Sequence, residues 1–390
     1  MALPNRDAKP LYLDYQATTP VDPRVLEAML PFFTEHFANP HSVEHAAGRF
    51  VADAMEAARD EVAKLINADP REIVFTSGAT ESNNLALKGA VHFRRRHEGR
   101  DGLVTVTTEH KCVLESAEAL KREGVRVTLV PVGPDGLVDL AALELAIDDR
   151  TAVVSVMAVN NEIGVVQPLA EIARLAHAKG AWLHSDAAQA VGKIGFDVRA
   201  LDLDLVSISG HKMYGPKGIG ALFVRRRPRV RLEPLFDGGG QERALRSGTL
   251  PAPLVVGLGR AAAIAREELV AERARLWSLH RRLKQRLQSE IRGIVFNGAA
   301  EQRIPGNLNI TLPGVDAQAL LKALPELALS TGSACTSTEI EPSHVLTALG
   351  LGQAEAGATL RIGFGRFTTE ADVDFAAERL VAAQRQLRAA

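Results

Sequence analysis

The chain has 390 residues, with 46 Lys and Arg, 47 Asp and Glu, and a formal net charge of −1. This balance argues against a broad nucleic-acid-binding surface. The two cysteines are too few for a disulfide scaffold or a thiolate metal cluster, so we expect no metal centre.

The N-terminal ten residues contain no apolar stretch of the kind that directs export. No uninterrupted apolar run approaches the roughly 20 residues needed to span a bilayer. We therefore expect a cytoplasmic protein without a membrane segment. In that reducing compartment a cysteine thiol can stay free for chemistry.

The first two thirds of the chain alternate helical and strand patterns. Strands are predicted at 73–76, 103–107, 125–130, 152–159, 181–184, 203–208 and 219–224, and helices at 48–66, 81–97, 113–122, 139–147 and 168–179. This alternation predicts an α/β protein with a mostly parallel seven-stranded sheet and helices on both faces. Ligand sites of such sheets lie at the edge where the loops follow the strands.

The pattern changes near residue 260, within a long charged helical stretch at 254–291. Strands at 307–312 and 359–364 follow, with helices at 317–323 and 370–387. We therefore predict a large domain over 17–260. Residues 261–390, together with residues 1–16, are predicted to form a smaller α/β C-terminal domain.

The segment TSGATE at 76–81 follows a predicted strand and opens a predicted helix. Its small residues let backbone N–H groups approach an anion, and the helix dipole favours a phosphate there. The hydroxyls of Ser77 and Thr80 add donors. An ordinary Ser/Thr helix cap is the alternative, and for this motif alone it is the better interpretation.

Two further segments follow strands and carry charged side chains. Asp186 is suitably placed to pair with a cationic ring nitrogen, as pyridoxal 5′-phosphate (PLP) requires, although a helix N-cap is an open alternative. Lys212 lies in the glycine-rich loop SGHKMYGPKGIG, where partial desolvation would make it a Schiff-base nucleophile. Ser209 and His211 could donate to a phosphate, and Lys217 is interpreted as the solvated lysine of the loop.

A phosphate-binding turn, a carboxylate and a lysine thus occur in the chain order typical of PLP enzymes with this sheet. The motifs YLDYQATTP, FTSGATESNN, TEHK, VNNEIGVVQ, SDAAQ, SGHKMYGPKGIG, RSGTLP, GSACTS and LRIGFGRFTTE extend from residue 12 to residue 370. In combination they resemble the cysteine desulfurases of iron–sulfur cluster assembly, which are fold-type I PLP enzymes of the class V aminotransferase family.

The resemblance implies a role for each matching residue. Lys212 would bind the cofactor covalently, Asp186 would pair with its ring nitrogen, Gln189 would face its phenolic oxygen and His110 would stack on its ring. Ala79, Thr80, Ser209 and His211 would hold the phosphate, and Thr249 would reach it from the other subunit of a homodimer. Asn160 and Arg361 would hold the substrate carboxylate, for which the planar guanidinium of Arg361 is well suited.

Cys335 lies among Gly, Ser and Thr residues, which suggest a mobile loop. A free cysteine is often a small buried hydrophobe, but these polar neighbours argue against that interpretation. The resemblance implies that Cys335 attacks the sulfur of L-cysteine, leaving alanine and a persulfide, with His110 assisting proton transfer. Cys112, at a helix start, fits the buried interpretation better, and its role stays open.

Several alternatives remain from the sequence. An aminotransferase or a selenocysteine lyase would use Lys212 and Asp186 without needing Cys335, whereas a non-enzymatic thiol carrier would leave both unexplained. The sequence does not specify the sulfur acceptor: an iron–sulfur scaffold, nitrogenase-linked supply and a tRNA-thiolation relay all stay open. The chain ends soon after its last helix, whereas relatives that serve a scaffold often continue in a longer tail.

Overall fold

The computed structural model describes residues 9–331 and 342–389. Its strands are β1 (Leu11–Tyr12), β2 (Ile73–Thr76), β3 (Gly102–Val106), β4 (Arg126–Val130), β5 (Thr151–Ser155), β6 (Trp182–Asp186), β7 (Leu205–Ser209), β8 (Gly220–Val224), β9 (Val295–Phe296), β10 (Asn307–Thr311), β11 (Leu327–Ala328) and β12 (Thr359–Gly363).

The helices are α1 (Pro23–Met29), α2 (Pro31–Thr34), α3 (Ala46–Leu65), α4 (Ala79–Glu98), α5 (Lys111–Arg122), α6 (Leu140–Ala146), α7 (Leu169–Ala178), α8 (Ala252–Glu290), α9 (Ala317–Ala323), α10 (His344–Ala348), α11 (Gln353–Gly357) and α12 (Glu370–Ala389). Short 3-10 turns occupy Pro70–Glu72, Gly210–Lys212 and Glu242–Ala244.

The central sheet has seven strands in the order β2-β8-β7-β6-β5-β3-β4. Strands β7, β6, β5, β3 and β4 run parallel, and β8 is antiparallel to both β2 and β7. The prediction of a mostly parallel seven-stranded sheet is therefore confirmed. The carboxyl ends of β6 and β7 lie side by side, which brings the segments that follow them to one edge.

Alternate residues of the strands face opposite sides of this sheet, as a pleated strand requires. Val74, Leu103 and Val153 pack with side chains of α4 and α5, whereas their neighbours Phe75 and Val104 pack with those of α3, α7 and α8. Full burial of such a side chain contributes about 1.5–3 kcal/mol. Because both faces are covered, the strands are apolar throughout and do not alternate with polar residues.

A second apolar core lies beyond the sheet, where the antiparallel strands β12, β10 and β9 pack with α9, α12 and the second half of α8. Helix α8 connects both cores. Val255 and Leu258 pack in the first, and Leu276 and Leu279 in the second. The predicted domain boundary at 260 thus falls inside one continuous 39-residue helix, and its position stays a prediction.

Two helical side chains lie in environments unlike their residue types. Phe50, in α3, is 50% exposed. Arg94, in the last turns of α4, is buried and donates to the carbonyl of Ala152 while its guanidinium lies over Trp182. None of the helices in the described part of the chain combines the length and apolar character that a bilayer crossing requires.

Candidate active site

A cavity of about 600 Å³ opens at the carboxyl edge of the sheet. Nine of the predicted site residues line it, and Ser77 lines it with them: Ala79, Thr80, His110, Asp186, Gln189, Ser209, His211, Lys212 and Arg361. The structure therefore brings together predicted residues that lie far apart in the chain. Asn160 and Thr249 do not line this cavity, and Cys335 lies outside the described residues.

The N-terminus of α4 forms one wall of the cavity. Gly78 is its N-cap residue, and no side chain caps the helix. Gly78 has φ 150° and ψ −176°, a conformation that a residue with a Cβ rarely adopts. The alternative of an ordinary Ser/Thr cap is therefore not what the structure shows, and the helix end can accept an anion.

Asp186 ends β6 and is buried at 5% exposure. One carboxylate oxygen accepts from the Asn83 side chain at 2.7 Å, and the other accepts from the backbone N–H of Ala188 at 2.9 Å. These donors hold the carboxylate in one orientation at the cavity. A buried carboxylate with remaining acceptor capacity is a strong partner for a cationic nitrogen.

Lys212 ends the 3-10 turn that follows β7. Its Nζ donates to the carbonyl oxygens of Gln16, at 2.5 Å, and Ala17, at 2.8 Å. The segment before α1 therefore fixes the position of the amine. Lys217 also lines the cavity but is exposed, in agreement with its interpretation as the solvated lysine.

His110 is the N-cap residue of α5, and its Nδ1 accepts from the backbone N–H of Cys112 at 3.2 Å. Because Nδ1 accepts, the neutral ring carries its proton on Nε2. Burial lowers the pKa of His110, opposed by the negative charge of Asp186. The imidazole is therefore a neutral donor through Nε2 near pH 7.

Arg361, on β12, is 2% exposed and lines the cavity. Its guanidinium donates to a carboxylate oxygen of Asp14 at 2.6 Å and to the carbonyl of Asn161 at 3.2 Å. The ion pair with Asp14 compensates for part of the cost of burying the guanidinium. These contacts fix the guanidinium plane, as recognition of a carboxylate requires.

Asn160 has no polar atom left for the cavity. Its Oδ1 accepts from the backbone N–H groups of Glu162 and Ile163, at 2.8 and 3.0 Å, and its Nδ2 donates to the carbonyl of Thr108 at 2.9 Å. The neighbouring Asn161 lines the cavity instead. The sequence alone does not tell which of the two adjacent asparagines faces the cavity, because tertiary contacts determine how this turn lies.

Sequence reasoning also missed residues whose polar groups stabilise the site. Glu162 and His344 line the cavity. The Ser343 hydroxyl donates to Glu162 at 2.5 Å, and His344 Nε2 approaches the carbonyl of Glu109 at 2.9 Å. Burial raises the pKa of Glu162. The motif NNEIG contains Glu162, but neither serine nor histidine at 343 and 344 belongs to a recognisable pattern.

Comparison with known proteins agrees with this geometry. The aminotransferase class-V family profile matches residues 11–375. The cysteine desulfurase IscS of Rickettsia rickettsii (strain Iowa) is 53% identical over 97% of this chain and 92% of its own, and the mouse cysteine desulfurase is 53% identical over 97% and 82%. A solved NifS-like protein superimposes with a TM-score of 0.89 at 36% identity, covering 96% of this chain and 99% of its own.

The chain therefore belongs to the class V aminotransferase family of α/β enzymes. Within that family it belongs to the cysteine desulfurases.

This membership implies PLP as the cofactor. The residues of the cavity fit the group, since an uncapped helix N-terminus suits its phosphate, a buried carboxylate suits its ring nitrogen and a lysine amine suits its aldehyde.

Proposed function

We propose that this cavity binds PLP and converts L-cysteine to L-alanine, with transfer of the sulfur to Cys335. The observation that carries the proposal is the meeting of an uncapped α4 N-terminus, Asp186, Lys212 and Arg361 in one cavity of about 600 Å³. An anion site, a carboxylate, an amine and a carboxylate-binding guanidinium are what a PLP enzyme acting on an amino acid needs.

Specific groups would hold the cofactor. Ala79 and Thr80 of α4, together with Ser209 and His211, line the cavity and would surround the phosphate. Burial lowers the pKa of His211 to about 4, so its ring is neutral. Asp186 would pair with the ring nitrogen, Gln189 would face the phenolic oxygen and His110 would lie against the ring. When bound, PLP supplies an electron sink for the carbon that loses its proton.

The chain's own groups orient the substrate and move its protons. Arg361 and Asn161 bind the carboxylate of L-cysteine, and Lys212 takes the α-proton at Nζ. His110 donates a hydrogen bond through Nε2. The sulfur leaves the substrate carbon and bonds to the Cys335 sulfur, and the thiol proton passes to the product. One L-cysteine and one thiol thus give one alanine and one persulfide, without an external oxidant.

The proposal is tested by incubating the purified protein, loaded with PLP, with L-cysteine. Alanine and protein-bound persulfide should form in equal amounts in a single turnover. Formation of 3-mercaptopyruvate from cysteine, and only when a keto-acid acceptor is present, would identify an aminotransferase instead. Activity on selenocysteine with none on cysteine would identify a selenocysteine lyase.

The two adjacent asparagines should separate binding from folding. Asn161→Ala is expected to raise KM for L-cysteine about tenfold, because one hydrogen bond to a charged group contributes roughly 1.5–3 kcal/mol. Asn160→Ala should instead lower the free energy of unfolding by about 1–3 kcal/mol, because it leaves buried backbone donors unpaired. Steady-state kinetics and urea unfolding measure the two effects. A raised KM with unchanged stability for Asn160→Ala would reverse the assignment.

We further propose a homodimer in which Thr249 of each chain reaches the other chain's phosphate. Thr249 is exposed within its own chain. The next residue, Leu250, lines a groove together with Pro40, His41 and Ala52. The segment 26–50, which contributes to this groove, carries several exposed apolar side chains: Leu26, Leu30, Phe33, Phe37, Val43 and Phe50. Such a surface favours association. Sedimentation as a 41.9 kDa monomer would contradict this.

The sulfur acceptor is proposed to be a protein thiol, on an iron–sulfur scaffold or a tRNA-thiolation relay. The support is the similarity to relatives named IscS. Transfer of labelled sulfur from the persulfide to each purified acceptor distinguishes the two.

A further inference from the structure

A second lysine lies behind the cavity, one turn after Gln189. Lys193 Nζ donates to Gln189 Oε1 at 2.5 Å. Lys193 does not line the 600 Å³ cavity but a separate small one of about 20 Å³, room for roughly one water. Gln16 lines both cavities, so Lys193 acts from behind the site and does not touch the substrate.

The contacts of Lys193 determine which way round the Gln189 amide lies. Lys193 Nζ donates to the amide oxygen, and below its pKa the ammonium can only donate, so the atom of Gln189 that faces it is then the oxygen. The amide nitrogen is then on the other side, where Nε2 donates to the carbonyl of Gln16 at 2.8 Å. One of its two hydrogens is used there, and because Gln189 lines the large cavity, the second can be donated to a group bound in it.

We propose that Lys193 is a positioning residue that holds Gln189 as a hydrogen-bond donor to the phenolic oxygen of the cofactor. This inference rests on the proposed function. It connects Lys193 to Lys212 as well, because Lys212 Nζ and Gln189 Nε2 donate to the same carbonyl, that of Gln16. A donor at the phenolic oxygen stabilises the anionic form of that oxygen. The pKa of the adjacent nitrogen, through which Lys212 is joined to the cofactor, is lowered as a result.

The charge of Lys193 acts in the same direction. Burial, together with the positive charges of Lys212 and Arg361, lowers the pKa of Lys193 to about 7, and the carboxylate of Glu272 opposes this shift. Arg273, Tyr15 and Tyr214 are the other titratable or charged side chains at its small cavity. Below its pKa the ammonium repels a proton on the nitrogen of Lys212. The orientation of Gln189 and the charge repulsion therefore both lower the pKa of the Lys212 nitrogen that is joined to the cofactor.

The experiment is a pH titration of the visible absorbance band of the holoenzyme. In Lys193→Met the midpoint should rise by about one pH unit, as expected for loss of a nearby like charge and a donor. Lys193→Gln, which removes the charge and keeps a polar chain, should shift in the same direction if Lys193→Met does not fold. Lys179→Met, at an exposed helix end, is the matched control and should leave the midpoint unchanged.

Action through Gln189 is tested in a second background. Lys193→Met should shift the midpoint by less in Gln189→Ala than in the wild type, because the amide to be oriented is gone. A wild-type midpoint in the Lys193 variants, or an equal shift in both backgrounds, overturns the inference. A wild-type protein without any visible band would instead refute the proposed function, so the two failures are distinguishable.

Discussion

Lys212→Ala is expected to lower the rate of alanine formation from L-cysteine by about 10³-fold or more, because in the proposed mechanism this one side chain both binds the cofactor and takes the α-proton. In the structure its Nζ lies within hydrogen-bond distance of the Gln16 and Ala17 carbonyls, and Lys212 lines the cavity. The visible absorbance band of the bound cofactor should change at the same time. Cofactor absorbance and alanine production measure the two effects on one preparation.

The matched control is Lys217→Ala, in the same loop. Lys217 also lines the cavity but is exposed, so its loss should leave the covalent bond to the cofactor intact. Reduction with borohydride followed by peptide mapping identifies the modified lysine. Modification of Lys217, or wild-type alanine formation by Lys212→Ala, would show that the assignment of the amine is incorrect.

The fold could be predicted largely from sequence because its signals are local. All seven strands of the central sheet were marked by short apolar runs, and residues 73–76 form the strand as predicted. The strand order could not be predicted in this way, since β8 inserts antiparallel between β2 and β7 through contacts distant in sequence. Likewise Arg94 is buried because Trp182 and the Ala152 carbonyl lie beside it, which no helical pattern reveals.

The same contrast between local sequence signals and tertiary contacts applies to the candidate site. Asp186 and Lys212 could be found because one ends a strand and the other follows one, and parallel strands bring such positions to one edge. The residues that orient the charged side chains of the site could not be found from the sequence. Asn83 bonds Asp186 across 103 residues and Asp14 bonds Arg361 across 347. Lys193 looks like any surface lysine until the structure places it behind Gln189.

Cys335→Ser is expected to lower alanine formation by about 10²–10³-fold and to abolish persulfide, while the visible absorbance of the cofactor is retained. A serine hydroxyl is a far weaker nucleophile toward sulfur than a thiolate, and the groups that bind PLP are untouched. Although Cys335 lies outside the described residues, the chain has only one other cysteine, so the assignment can be tested completely. Persulfide detection by mass spectrometry and alanine assay give the two readouts.

Cys112 is the control, and its environment explains why it should not substitute for Cys335. Its sulfur lies 3.0 Å from both Asn83 Nδ2 and His110 Nδ1, at the cavity. Burial, reinforced by the negative charge of Asp186, raises the pKa of this thiol to about 12, so almost no thiolate exists at neutral pH. Cys112→Ala should therefore form persulfide on Cys335 in wild-type amounts, with a rate within about threefold. Persulfide on Cys112 in the Cys335→Ser variant would mean that proximity to the cofactor outweighs the cost of ionising a buried thiol, and that position 335 does not alone determine where the sulfur goes.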